Sequence, residues 1–177
     1  MTSCGKRSFI FPFLIIAFVF ASIFFFGIKH AEARAKKAYN FNLKVLNPTL
    51  SGYDNFSLKN FRGHVVIVNF WATWCPPCRA EIPMIKKFYE SEKSNGVMVV
   101  GINVNNNLGG VRSFIKSIDI PYPVVYATPE VINNYGGINA IPQTFFISKS
   151  GRLMFQWKGE ITKGALYGIT QKLLNLN

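Results

Sequence analysis

Cys75 and Cys78, in Trp74-Cys75-Pro76-Pro77-Cys78, are the residues best equipped for chemistry in this chain of 177. They lie between an apolar, β-rich run over 65–71 and a helical pattern that starts near Ala80. A C-x-x-C at a strand-to-helix junction puts the first sulfur at a helix N-terminus. There, free N–H groups and the positive end of the dipole favour a thiolate over a thiol. Cys78 lies about one turn further in, near enough to close a short disulfide ring. Two thiols of different exposure, one acidified, make a dithiol/disulfide exchange centre.

Two blander roles fit the same pair less well. Half of a zinc site needs about four ligands in all. Outside the pair the chain offers only Cys4, His30 and His64, and the first two flank an N-terminal apolar segment, so no metal is expected. A purely structural disulfide gains little, because so small a ring removes little chain entropy. The strand–C-x-x-C–helix context is that of a redox motif.

The elements around the motif follow from periodicity and turn residues. Residues 41–46 alternate and predict a strand, 48–55 are rich in turn formers, and 56–58 predict a short returning strand. Residues 65–71 are apolar except for Asn69, which predicts a central strand covered on both faces. A helix is predicted over 78–93, kinked at Pro83 and ended by Gly96, then a buried strand over 97–104. A loop at 105–110, a short helix at 111–118, a strand at 122–126 and a helical turn at 129–135 come next. Strands at 143–147 and 152–157 flank the hairpin signal Ser148-Lys149-Ser150-Gly151, and Thr162 can cap a last helix through Leu176. Parallel βαβ followed by antiparallel ββα is a thioredoxin arrangement.

The stretch Phe70-Trp71-Ala72-Thr73-Trp74-Cys75-Pro76-Pro77-Cys78-Arg79-Ala80-Glu81-Ile82-Pro83 resembles the active site of the TlpA/ResA/CcmG-type thioredoxin-like proteins, extracytoplasmic thiol–disulfide oxidoreductases of bacteria. The likeness covers roughly residues 40–175. It implies an α/β thioredoxin fold, a central mixed sheet flanked by helices, with an N-terminal β-hairpin extension. The gap of 67 residues from Cys75 to Pro142 resembles the branch that inserts a strand–helix unit, here within 103–126.

The resemblance also completes the site. In Ala140-Ile141-Pro142-Gln143-Thr144-Phe145 the family carries a cis-proline lying against the cysteine pair. An X–Pro bond is the only one that goes cis cheaply. Read from the residues alone, Pro142 could equally be a trans proline starting a strand. Beside it, the Ile141 backbone can pair with an extended substrate peptide. Trp74, Pro76, Pro77, Ile141 and Pro142 thus form the expected substrate-binding surface. Glu81 is three residues past Cys78 on the same helix face. The family has an acidic residue there, which raises the thiol pKa values and can relay the Cys78 proton. Otherwise Glu81 serves the helix dipole as a first-turn acid. Asn69 stands where plain thioredoxin has a buried Asp, and an amide cannot act as a base. Trp71 is expected in the core, and His64 is expected to be structural or exposed.

Phe9 to Ile28 is a run of twenty uncharged residues, long enough to span a bilayer. Lys6 and Arg7 precede it, and Ala31-Glu32-Ala33 or Ala33-Arg34-Ala35 could be a cleavage site. A cleaved signal competes with an uncleaved anchor, which the length of the run favours. The expected division is 1–30 signal anchor or signal peptide, 31–40 linker and 41–177 thioredoxin-like domain. More positive charge follows the run than precedes it, which runs against the usual orientation rule; the redox motif and the resemblance point outward. Net charge is +12, and from Arg34 onward 17 Lys and Arg face 7 Asp and Glu. No basic block exceeds two residues, so a solvated basic surface or attraction to anionic headgroups is expected, and no nucleic-acid partner.

These readings predict an exported reductant. Its dithiol, Cys75–Cys78, cleaves disulfides in exported proteins, such as apocytochrome c or copper-site cysteines of cytochrome oxidase. No cofactor is needed. The resemblance implies re-reduction by a membrane donor of the DsbD/CcdA type. A thiol oxidase or isomerase is one alternative; a non-catalytic metal-handling or docking module is another.

Overall fold

The computed structural model describes residues 35–105 and 107–176. The apolar run Phe9 to Ile28, Cys4 and His30 on either side of it, and all but the last residue of the two cleavage motifs lie outside the described residues. Among the described residues, no helix is long and apolar enough to cross a membrane.

Five strands form the main sheet: β3 (Val65–Trp71), β4 (Val97–Asn103), β5 (Val124–Tyr126), β6 (Gln143–Ile147) and β7 (Leu153–Lys158). Their order is β5-β4-β3-β6-β7. β3, β4 and β5 run parallel, whereas β6 is antiparallel to β3 and to β7. Every residue of β3 and β4 is buried, as continuous apolar runs require of central parallel strands. The thioredoxin-like α/β architecture anticipated above is therefore present.

Alternation along β3 divides the core. Asn69 and Trp71 face the long helix α2 (Pro76–Glu92) and the short helix α3 (Val111–Ser117), where Phe114 packs on Trp71. The last helix, α5 (Lys163–Leu174), joins this layer through an edge-to-face pair between Phe88 and Tyr167. On the opposite side, Phe70 meets Tyr135, which directly follows helix α4 (Pro129–Asn134), together with Phe145 and, through Tyr135, Phe41.

Ahead of the sheet, β1 (Asn42–Lys44) and β2 (Asn55–Ser57) make the expected hairpin. The turn-rich stretch between them holds one helical turn, α1 (Pro48–Ser51), closed by Gly52 in the left-handed conformation with its N–H on the Pro48 carbonyl. Pro at the first position and Gly at the end supply those requirements directly. Buried Asn47 fastens the hairpin to the sheet. Its Nδ2 donates to the carbonyls of Ile120 and Tyr122, and its Oδ1 accepts from the Val124 N–H.

Three expectations shift. Helix α2 begins at Pro76, two residues early, because Cys75 is its N-cap, and it continues through Pro83. Residues 103–126 hold α3 followed by β5, which forms the sheet edge. Within the stretch read as linker, Lys36 and Ala38 bond to the start of β7: the Ala38 N–H reaches the Gly151 carbonyl, and the Leu153 N–H reaches the Lys36 carbonyl. That pairing covers part of an otherwise open strand edge.

Gly101 on β4 leaves no room for a side chain. A Cβ there would sit 2.9 Å from Trp71 Nε1 and 3.4 Å from Tyr122 Cε2, and both rings are fully buried. Gly101→Ala is expected to cost about 1–3 kcal/mol by overpacking. Urea or thermal denaturation checks this, and an unchanged midpoint would mean the two rings yield freely.

Candidate active site

Helix α2 starts on two prolines, and neither has an N–H. The first donor the helix can offer a preceding group is therefore the N–H of Cys78. It points at Cys75 Sγ from 3.3 Å, with Cys75 in an extended conformation as the cap. Carbonyl and sulfur share the work, since the Arg79 N–H takes the Cys75 carbonyl. The two cysteines are disulfide-bonded, Cα to Cα 5.3 Å. Cys78 is completely buried and Cys75 only 4 % exposed. An N–H aimed at Cys75 at the positive end of a helix favours a thiolate there once the pair is reduced.

The Ile141–Pro142 bond is cis. Ile141 O lies 3.9 Å from Cys75 Sγ, a contact rather than a hydrogen bond because a disulfide sulfur carries no proton. Pro142 O accepts from the Gly159 N–H, which ties the turn to the end of β7. Among the described residues, the Ile141 N–H has no backbone partner. Around this point Trp74, Pro76 and Pro77 are exposed, and Trp74 shows 65 % of its surface. An open groove of about 380 Å³ begins at Pro76 and is lined by Arg79, Ala80, Pro83, Phe114 and Ile118. In it the Arg79 guanidinium lies over the Phe114 ring at 5.6 Å.

Glu81 is buried beneath the helix, 1 % exposed. Its Oε1 accepts from Asn69 Nδ2 at 2.8 Å and its Oε2 from the Ile161 N–H at 2.9 Å. Burial pushes the carboxyl up to about 7; the two hydrogen bonds pull the other way, and Glu160 nearby adds to the rise. Because α2 starts at Pro76, Glu81 falls past the first turn, which removes its reading as a first-turn dipole acid. Trp71 is in the core as expected. His64 is half-buried, edge-on to Phe61, just ahead of β3 and at the opposite end of that strand from the cysteines.

Sequence reasoning missed a second set of groups. Asn105 Oδ1 accepts from the Thr73 N–H and from Asn103 Nδ2, both at 3.0 Å. Asn105 Nδ2 donates to Thr73 Oγ1 at 2.7 Å, and Tyr126 Oη donates to the Asn105 carbonyl at 2.5 Å. This clamp holds the loop that presents Trp74 and Cys75. Its only trace in the sequence is a polar run following a buried strand. Gln143 likewise braces the proline turn, donating to the Ala140 carbonyl at 2.6 Å and accepting from Gln156 at 2.7 Å. Among the described residues, no group of three or more His, Cys, Asp or Glu is arranged to hold a metal ion.

Comparison with known proteins agrees with the fold. A model of the AhpC/TSA family matches residues 35–156. A thiol-disulfide oxidoreductase ResA of Bacillus cereus is 31 % identical over 150 residues, 84 % of this chain and 83 % of that protein. A thiol:disulfide interchange protein of Chlorobium tepidum TLS is 36 % identical and superposes with a TM-score of 0.72, covering 80 % of this chain and 98 % of that one. A secreted thiol-disulfide isomerase of Corynebacterium glutamicum is 25 % identical with a TM-score of 0.71, covering 81 % and 89 %.

The buried carboxyl and the clamp each give an expected outcome. Folded Glu81 holds its proton up to about 7, against 4.5 for the free side chain, so its contribution to stability is complete below 4.5 and lost as pH rises through 7. Relative to Glu81→Gln, the oxidised wild type should lose about 2–3 kcal/mol between those limits. Urea titrations at several pH values measure this, and a constant difference between the two proteins contradicts it. Asn105→Ala removes two bonds to Thr73 and should cost about 1–3 kcal/mol. The Thr73 amide should exchange with solvent faster; unaltered exchange would show the clamp to be idle.

Proposed function

Because the chain belongs to the AhpC/TSA family of thioredoxin-like proteins, we propose that it is a thiol–disulfide oxidoreductase that reduces disulfides in exported proteins. The observation that carries this reading is the cap: a sulfur at the start of α2, receiving the Cys78 N–H, beside a cis-proline turn.

In the proposed cycle, Cys75 as thiolate attacks one sulfur of the substrate disulfide. The S–S bond breaks, the other substrate sulfur leaves as thiolate, and a mixed disulfide forms. The substrate strand pairs beside Ile141, whose N–H is open, with Pro142 keeping the approach narrow and Trp74, Pro76 and Pro77 forming the exposed rim. Cys78 then loses its proton and attacks Cys75 Sγ, releasing the second substrate thiolate. Two electrons pass from the dithiol to the substrate, and the Cys75–Cys78 disulfide remains. Glu81, held near neutrality by burial, accepts the Cys78 proton directly or through water and returns it when the pair is reduced again.

The substrates that best suit this chemistry are exported proteins whose cysteines must be reduced before a cofactor is inserted: apocytochrome c, or the copper-site cysteines of an oxidase. The returning electrons come from a membrane carrier of the DsbD/CcdA type. An extracytoplasmic place is supported by a relative described as secreted. The uncharged run over 9–28 then serves as the inner-membrane anchor, or as a signal removed on export.

The first test is the reduction potential of the Cys75–Cys78 pair in glutathione or dithiothreitol buffers. A value near about −270 mV fits a reductant, whereas one near about −120 mV reverses the direction and makes the protein a disulfide donor. In the same preparation, Cys75→Ser should abolish insulin reduction, while Cys78→Ser should accumulate mixed disulfides through Cys75. Full activity in either variant overturns the dithiol mechanism.

A further inference from the structure

Beneath the active-site helix, one buried atom has no partner. Asn69 is completely buried, its Nδ2 donates both to Glu81 Oε1 at 2.8 Å and to Thr144 Oγ1 at 3.0 Å, and its Oδ1 bonds to nothing. A buried acceptor left unpaired weighs against the fold. Glu81 meets a donor on each oxygen, Asn69 Nδ2 on Oε1 and the Ile161 N–H on Oε2, an arrangement that suits the ionised carboxylate.

A protonated Glu81 reverses the requirement. Its Oε2 already faces the Ile161 N–H and can only accept. The acid proton must then sit on Oε1, where it meets the Asn69 NH2, donor against donor. Half a turn of the amide removes the conflict at Oε1, and the unpaired position passes from Oδ1 to the amide NH2. Oδ1 then takes the Glu81 O–H and the Thr144 O–H together, since a hydroxyl can donate as readily as accept. We infer that Asn69 is a positioning residue whose amide turns over as Glu81 gains or loses its proton, with the Thr144 hydroxyl reversing in step.

Resting on the proposed cycle, this gives the resolving step a second part. The proton leaving Cys78 arrives on Glu81, and the amide swings its oxygen round to hold it there. Thr144 is two residues past Pro142, so the turn-over also touches the strand that carries the substrate edge. Other groups facing Glu81 cannot substitute for it. Cys78 shares its helix, the Ile161 N–H is fixed as a donor, Glu160 repels, and the Tyr122 phenol has its own pKa raised by burial and by the charge on Glu81.

The test is nuclear magnetic resonance of the full chain in micelles, oxidised so that neither thiol titrates, with 15N-asparagine and 13C-glutamate, between about pH 5 and about pH 9. The Asn69 side-chain NH2 signals should move with the same midpoint as the Glu81 carboxyl. Their cross-peak to Thr144 should be present at high pH and lost at low pH. In Glu81→Gln the Asn69 signals should stop responding to pH. A Thr144 cross-peak equally strong at both limits, a Glu81 carboxyl that does not titrate, or a persistent response in Glu81→Gln overturns the inference. Insulin reduction by the same preparation separates the two ideas. Activity without the turn-over sinks only this inference, whereas turn-over without activity sinks the proposed function.

Discussion

The Cys78 N–H can reach the Cys75 sulfur only if helix α2 begins directly after Cys75, and the rest of the site is arranged around that start. Pro76 and Pro77 have the backbone angle of a first helical turn and no donors to waste, so the free end of the helix is concentrated on one N–H. The bond to sulfur measures 3.3 Å. A helix starting two residues later would point its first donors past Cys75 and turn Glu81 toward the helix end. The same start that favours charge on Cys75 therefore also buries the carboxyl.

Those two consequences oppose each other. The helix end lowers the cost of negative charge on Cys75, while a second negative charge on Glu81 raises it. Burial keeps the conflict small, because it holds the carboxyl near the point where half of it is neutral. In the proposed cycle, partial neutrality lets the acid accept a proton from the inner thiol without discharging the outer one. A solvated glutamate at the same sequence position would stay ionised and do neither.

Much of this geometry is legible in the residues. The uninterrupted apolar run of β3 and the C-x-x-C at its end put the cysteine pair at a strand-to-helix junction, and the proline ahead of β6 marks the turn that lies beside it. Turn chemistry foretells the hairpin. What escapes are partners joined across long separations by backbone atoms or amides. No pattern near Glu81 foretells the Ile161 N–H, 80 positions away, and Asn105 reads as one of three loop asparagines. Polar side chains carry no periodicity, so only the fold reveals which of them meet. The sequence pattern starts α2 two residues late because its apolar periodicity sets in only at Ile82, beyond the two prolines.

Both halves of the chain contribute to the site, and strand register decides how. The βαβ half supplies the two thiols, Asn69 and Glu81. The ββα half supplies the Ile141 carbonyl, Thr144 and the Ile161 N–H. They are joined by antiparallel pairing of β3 with β6, in which Asn69 stands opposite Thr144 and Phe70 opposite Gln143. Side chains alternate with a period of two, so a slip of one residue would turn Thr144 into the aromatic layer and bring Phe145 against the Glu81 carboxyl. The aromatic contacts of Phe145 with Phe70 and Tyr135 make that slip costly. Packing on one face of the sheet thus fixes the polar chemistry on the other, which is why a site that depends on single hydrogen bonds can rest on the register that an aromatic layer enforces.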